Sequence, residues 1–178
     1  MPLEEKDGHA VVSSVTRITG YKDEEIQKNW LPFVSDDGNV KFIYNYNPLT
    51  ILNFDPVQSK VTPQSRQVHI PVETCSWRGS SGPIRIPDQG QLILIHEVCD
   101  RSEGRHYMHR FVLFDETFSK WISSSDLFYF KHGSGVEMAT GMAYHQHEDM
   151  IYVTIGVEDH EAYLLACHVN DVLKSLKK

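Results

Sequence analysis

Four groups of side chains in this sequence could do chemistry, and each also has a plainer use. Arg78 opens a loop, Arg78-Gly79-Ser80-Ser81-Gly82-Pro83-Ile84, whose glycines let another backbone come close. Its guanidinium fork could grip a hydroxyl or an anion, or bridge two neighbouring layers as a salt-bridge partner. His96 lies within Leu92-Ile93-Leu94-Ile95-His96-Glu97, on the face of an extended chain opposite Ile95 and Glu97. It is either a donor or acceptor turned into a cleft or a satisfied core imidazole. Asp159 stands in Glu158-Asp159-His160, where a carboxylate can contact a ligand or simply stabilise a hairpin turn. His145-Gln146-His147, with Glu148 and Asp149 beside it, puts two imidazoles on one side of an extended segment. That is a metal-ligand pattern in outline, but solvated histidines at a hairpin tip explain it as well, and no metal is expected.

The remaining patterns exclude more than they suggest. Cys75, Cys99 and Cys167 are an odd number at wide spacings, which fits neither a disulfide framework nor a zinc ribbon and reads as buried free thiols. Neither a Gly-rich phosphate loop with its Lys-Ser/Thr, nor a Gly-x-Ser-x-Gly elbow, nor a dinucleotide fingerprint occurs, so no cofactor is implied. A formal net charge of -7 and a pI near 5.8 argue against nucleic acid or an anionic membrane surface as partner. No run reaches the roughly 18 apolar residues of a membrane span, and the acidic N-terminal stretch does not read as an export signal. A cytoplasmic protein is the expectation.

The elements that must position these residues read as strands. Three stretches, at about residues 28–70, 78–130 and 134–170, share one layout: a polar turn, a strand-like run, a loop and a second run. Val40 to Tyr46 with Leu49 to Asp55, Gln91 to Val98 with Tyr107 to Asp115, and Met150 to Val157 with Glu161 to Val169 are the paired runs. Their length, about 6 to 8 residues, and their Ile, Val, Phe and Tyr content are those of strands. Near-continuous apolarity implies burial on both faces. Hairpin pairs repeating in this way predict an all-β chain, a single domain over residues 1–178 made of about three four-stranded β-propeller blades. Two short helical stretches are also predicted, one turn at Asp23 to Gln27 and a helix at Asn170 to Leu176 with Asn170 as its cap.

Five segments in order carry a family resemblance: Lys28-Asn29-Trp30-Leu31-Pro32-Phe33, the Arg78 to Ile84 segment, Leu92 to Glu97, Glu137-Met138-Ala139-Thr140-Gly141 and Ile155-Gly156-Val157-Glu158-Asp159. Over about residues 28 to 168 the chain resembles glycoside hydrolase family 130, the five-bladed β-propeller β-mannoside phosphorylases and mannosidases. The resemblance departs at Ser80, Ile95 and Glu97, and at Tyr44 and Asn45 where the family has a His-Arg pair. Members are also longer and place the general acid in an earlier blade than those matched here. The resemblance implies an oligosaccharide, mannose-containing, bound in a propeller funnel by Lys28, Trp30, Arg78, His96, Glu137 and Asp159. In that reading the Trp30 ring stacks on a pyranose face, Lys28 meets an anion, Asp159 contacts a sugar hydroxyl and Glu137 orients a base or binds a hydroxyl. Glycoside chemistry uses two carboxyl groups, or one with inorganic phosphate as co-substrate, and no catalytic acid is assigned. The alternative is a noncatalytic carbohydrate-binding or protein-interaction fragment, which self-associates or takes its missing blades from a partner.

Overall fold

The structure is a computed structural model that describes residues 3–6, 8–12, 15–102, 104–131 and 135–178. In chain order the strands are β1 (Leu3–Lys6), β2 (His9–Val12), β3 (Leu31–Val34), β4 (Val40–Tyr46), β5 (Leu49–Asp55), β6 (Lys60–Arg66), β7 (Arg78–Ile86), β8 (Gly90–Arg101), β9 (Gly104–Phe114), β10 (Trp121–Ser124), β11 (Glu137–His145), β12 (Met150–Val157) and β13 (Glu161–His168). One helix, α1 (Val169–Ser175), follows. The chain is all-β, and every strand pair within a sheet is antiparallel. Apart from the β1-β2 hairpin, the strands form three sheets of consecutive order: β3-β4-β5-β6, β7-β8-β9-β10 and β11-β12-β13.

The second sheet is the middle layer, and strand periodicity explains why its sequence is apolar without a break. Successive residues point to opposite faces. On β8 and β9, Ile93, Ile95, Val112 and Phe114 pack toward the first sheet against Leu31, Ile43, Leu49 and Ile51. The alternating Leu92, Leu94, Phe111 and Leu113 pack toward the third sheet against Ala139, Ile151, Val153, Ile155 and Val157. A strand buried on both faces needs no polar alternation. The third sheet does alternate: on β12, Ile151, Val153 and Ile155 are buried while Thr154 is exposed.

The first strands of the three sheets, β3, β7 and β11, lie against one another. Gly79 and Gly82 are what allow β7 to approach β3 so closely. A Cβ on Gly79 would stand 2.5 Å from the Asn29 carbonyl oxygen, and one on Gly82 would run into the Pro32 carbonyl. Gly79 therefore faces residues 29–31 and Gly82 faces Pro32, so the two strands run the same way and begin at the same end. The start of β11 joins them there, because the Ala139 N–H donates to His109 Nε2 (3.2 Å) and Tyr107 N–H donates to the Gly135 carbonyl (3.0 Å).

Several expectations are corrected. The Arg78 segment is the first strand of its sheet rather than a loop, its bulges at residues 79–81 and 81–84 absorbing the glycines and Pro83. The third sheet has three strands, not four, because the chain leaves β13 directly into α1. The outer face of β13 is consequently open, with Leu164 67% exposed. Residues 23–27 form a turn, not a helix: Lys22 takes a left-handed φ of 51°, and the Asp23 carboxylate accepts the Gly20 N–H. The helix starts one residue early, with His168 at its N-cap position and Val169 N–H donating to the Asp149 carbonyl (3.0 Å), while Asn170 reaches the Asp149 carboxylate instead of capping. Cys75 is exposed in the loop before β7, and Cys99 and Cys167 are half-buried, so the thiols are free but not a buried set.

Candidate functional site

The shared end of β3, β7 and β11 gathers most of the chemically capable residues. Just before β3, Lys28 and Asn29 project beside the start of β7, and together with Tyr44, Asn45, Tyr46, Trp77, Arg78 and Gly79 they line a cavity of about 190 Å³. A second cavity of about 410 Å³ adjoins it, sharing Lys28 and Asn29 and bounded by Tyr21, Gln27 and Trp30. The two meet at Lys28 and Asn29 and form a groove at the entry to the first sheet, whose wider part is lined by residues from Ile18 to Trp30 and includes the Asp23 carboxylate.

Arg78 is held in a fixed pose. Its Nη1 donates to the Cys75 carbonyl (3.0 Å) and the Trp77 carbonyl (2.8 Å), both on the strand entry just behind it. The guanidinium is exposed at the cavity, and no carboxylate pairs with it among the described residues. Lys28 is likewise exposed and outside every ion pair formed by the described residues. Burial and the nearby Tyr46 side chain complete the electrostatics. The Tyr46 phenol is fully enclosed, and that enclosure drives its pKa far up, with Arg78 pulling the other way.

Trp30 sits at the opening of the second cavity, half-buried, with its indole N–H donating to Gln27 Oε1 (3.3 Å). Its ring lies edge-on to Phe42 (5.2 Å) and Tyr44 (5.9 Å), and Tyr44 meets Tyr21 at 5.0 Å. This aromatic patch covers the outer face of the first sheet and presents ring surface to the groove.

His96 lies behind Arg78, its cross-strand partner, and lines neither cavity. It is 3% exposed, and its Nδ1 is 2.9 Å from the Ser80 hydroxyl. Burial pushes its pKa down to about 4, and the neighbouring His109, Arg78 and Lys28 push it the same way. A neutral ring results. His96 therefore supports the strand that carries Arg78.

Glu137 and His109 build a different structure on the far side of the second sheet. Both are 0% exposed. His109 Nε2 accepts the Ala139 N–H, which places the ring proton on Nδ1, 3.4 Å from Glu137 Oε1. The Glu137 carboxylate also accepts the N–H groups of Phe130 (2.6 Å) and Lys131 (2.9 Å). These contacts tie β9, the segment after β10 and β11 into one buried clasp. Asp159 is exposed in the β12-β13 turn, with left-handed φ at Glu158 and Asp159 of 53° and 51°. Its neighbour Glu158 accepts the N–H groups of Gly135 and Val136 (3.0 and 2.9 Å). Asp159 is thus at the same end of the molecule as Glu137 but lines neither cavity.

The structure brings Lys28 and Arg78 into one cavity, sets Trp30 in the next and puts His96 behind them. It draws Glu137 into the clasp and leaves Asp159 on the surface. The cavity-lining Asn29, Tyr44, Asn45, Tyr46 and Trp77 carry no sequence motif, since their meeting comes from the approach of two strands distant in sequence. His109 had a local signal, its place two residues before Phe111 in a strand whose alternate positions are buried. Among the described residues no group of three or more His, Cys, Asp or Glu side chains is placed to hold a metal ion, and His145 instead faces Glu148 at 3.5 Å. None of the described helices is long and apolar enough to cross a membrane. No protein-family model matches the chain, and no curated protein matches it.

Proposed function

We propose that this chain binds an oligosaccharide, of the mannose-containing class that the family resemblance implies, in the groove between its first and second sheets. In this reading the three sheets are consecutive blades of an incomplete β-propeller and the groove is part of its funnel. The observation that carries the proposal is the meeting of Lys28, Asn29, Asn45 and Arg78 with the half-buried rings of Tyr44 and Trp30 along two adjoining cavities. Stacked rings beside hydrogen-bonding side chains fit the apolar faces and hydroxyl edges of a sugar.

Binding without turnover is the version that the carboxylates favour. Proton transfer to a glycosidic oxygen needs a carboxyl group within reach of the bond. Glu137 is enclosed and accepts the N–H groups of Phe130 and Lys131, no carboxylate lines the cavity at Arg78, and Asp23, which lines the adjoining cavity, accepts the Gly20 N–H.

Calorimetric titration with β-1,4-manno-oligosaccharides, repeated on Trp30→Ala and Arg78→Ala, tests the proposal. Binding that weakens about tenfold or more in each variant is expected, as for a lost stacking or charge-assisted contact. Absence of binding, or binding that neither variant changes, overturns the groove assignment. Release of mannose or mannose phosphate by the purified chain overturns the noncatalytic part alone.

A second reading, association through a sheet edge, is favoured by the open β13, where Tyr163 and Leu164 are exposed and, among the described residues, the ladder is formed with β12 alone. Such edges pair readily with other strands. Mass by light scattering across a hundredfold concentration range tests it, and a constant monomer mass counts against it.

A further inference from the structure

Donors dominate the cavity at Arg78. Its lining includes the ammonium of Lys28, the guanidinium of Arg78 and the amides of Asn29 and Asn45, but no carboxylate. The chain has 24 acidic and 17 basic residues, and several of its cations find carboxylates. Arg85 pairs with Glu116 (2.9 Å), Arg110 with Glu97 (3.6 Å), and Lys131 with Glu161 (2.5 Å). Lys28 and Arg78 share one cavity and have no such partner among the described residues.

The pose of Arg78 sharpens the point. Both of its hydrogen bonds to protein leave from Nη1, to the carbonyls of Cys75 and Trp77. Nε and Nη2 donate to no acceptor among the described residues, and they are the pair of N–H groups that grips a planar anion side-on. The neutral His96 behind Arg78 adds no third charge and takes up none of these donors, since its Nδ1 meets Ser80. A neutral glycan would leave both cations in this cavity without a carboxylate or other anion to neutralise them.

We infer that the glycan held in this groove carries its own anionic group, a carboxylate or phosphate ester, seated between Arg78 and Lys28. The inference rests on the sugar-binding reading above and narrows it to acidic sugars. The sugar ring then lies toward the Tyr44 and Trp30 surfaces, and the anion fixes which end of the chain enters first.

Matched ligands test this. β-1,4-Mannotriose and β-1,4-mannuronate trisaccharide differ in the C6 group, and mannose 6-phosphate and inorganic phosphate separate a sugar-borne anion from a free one. Each is titrated calorimetrically into the full chain at one ionic strength, so that general charge screening is equal. The mannuronate trisaccharide or mannose 6-phosphate is expected to bind at least about tenfold more tightly than its neutral counterpart, mannotriose or mannose, the size of one charge-assisted contact. That preference is expected to vanish in Arg78→Gln and to shrink in Lys28→Gln, with both variants melting as the parent does.

The outcomes separate the two claims. Equal affinity for neutral and acidic sugars overturns the inference and leaves the sugar reading standing. No binding of any sugar overturns both. A preference that survives in the Arg78→Gln, Lys28→Gln double variant places the anion elsewhere and overturns the inference. Inorganic phosphate that binds alone as tightly as the acidic sugars also overturns it, because the anion would then be a separate ligand. Should Arg78→Gln fail to fold, Lys28→Gln carries the test, since Lys28 is exposed and makes no ion pair with any described residue.

Discussion

The second sheet has two neighbours, and it meets them in opposite ways. Toward the third sheet, the shared end is sealed: His109 and Glu137 are both 0% exposed and are knitted to backbone N–H groups of Ala139, Phe130 and Lys131. Toward the first sheet, the same end stays open, because Gly79 lets β3 and β7 touch while Arg78 and Lys28 stand out into a cavity. Both junctions contain polar side chains at the starts of inner strands. The difference is whether those groups are enclosed against each other or left facing solvent, and it separates a structural cluster from the candidate site.

The largest expected effect lies in the sealed junction. Glu137→Ala removes the acceptor from the part-buried N–H groups of Phe130 and Lys131 and the carboxylate 3.4 Å from the buried His109 ring, and breaking such a cluster costs about 3 to 5 kcal/mol. Urea unfolding measures it. A loss below about 1 kcal/mol would show that the clasp is not what holds the third sheet, and the contrast between the two junctions would fail.

His96 gives the next effect, through pH. Its ring titrates near 6.5 in the unfolded chain and near about 4 in the folded one. Between those values the unfolded state binds more protons, so stability contributed by the neutral ring is complete above pH 6.5 and is lost as pH falls toward 4. The loss amounts to at most about 3 kcal/mol. Unfolding midpoints of the parent and His96→Gln, compared from pH 7 to pH 4, should converge as the pH drops. Parallel pH profiles would contradict the assignment.

Gly79→Ala probes the open junction. Its new methyl group would meet the Asn29 carbonyl and the Leu31 side chain, and overpacking of this kind costs about 1 to 3 kcal/mol. The same displacement should widen the groove and weaken sugar binding, whereas Glu137 variants that still fold should bind as the parent does. Equal loss of binding in both would merge the two junctions into one site.

These contrasts also show what was legible in the chain. The strands of the middle sheet could be read from composition, because Leu92 to Ile95 and Phe111 to Phe114 are buried on both faces and need no alternation. Arg78, by contrast, reads locally as a glycine-rich loop, since the bulges that make it a strand depend on β8 and β3. Lys28 and Arg78 each stand out as unusual residues, yet their sharing of a cavity depends on two inner strands running the same way, and nothing local encodes that. Glu137 was visible only as the first residue of the Glu137 to Gly141 segment, and its enclosure beside His109 comes from β9 and the segment after β10, which nothing local encodes. The third sheet's missing strand and the open edge at Leu164 were hidden by a β13 sequence as apolar as its neighbours.

The smallest expected effect is at Asp159. Asparagine tolerates left-handed backbone as aspartate does, so Asp159→Asn should change stability by no more than about 0.5 kcal/mol and leave sugar affinity within about twofold. A larger loss of affinity would bring the β12-β13 turn, and with it the third sheet, into the site.

The measurement that bears most directly on the open junction as a binding site is amide chemical-shift mapping during an oligosaccharide titration. Perturbed resonances should cluster at residues 28–30, 44–46 and 77–79, with the interior around His109, Glu137 and Ala139 unmoved. Shifts centred on the third sheet, or none at saturating sugar, would contradict the account.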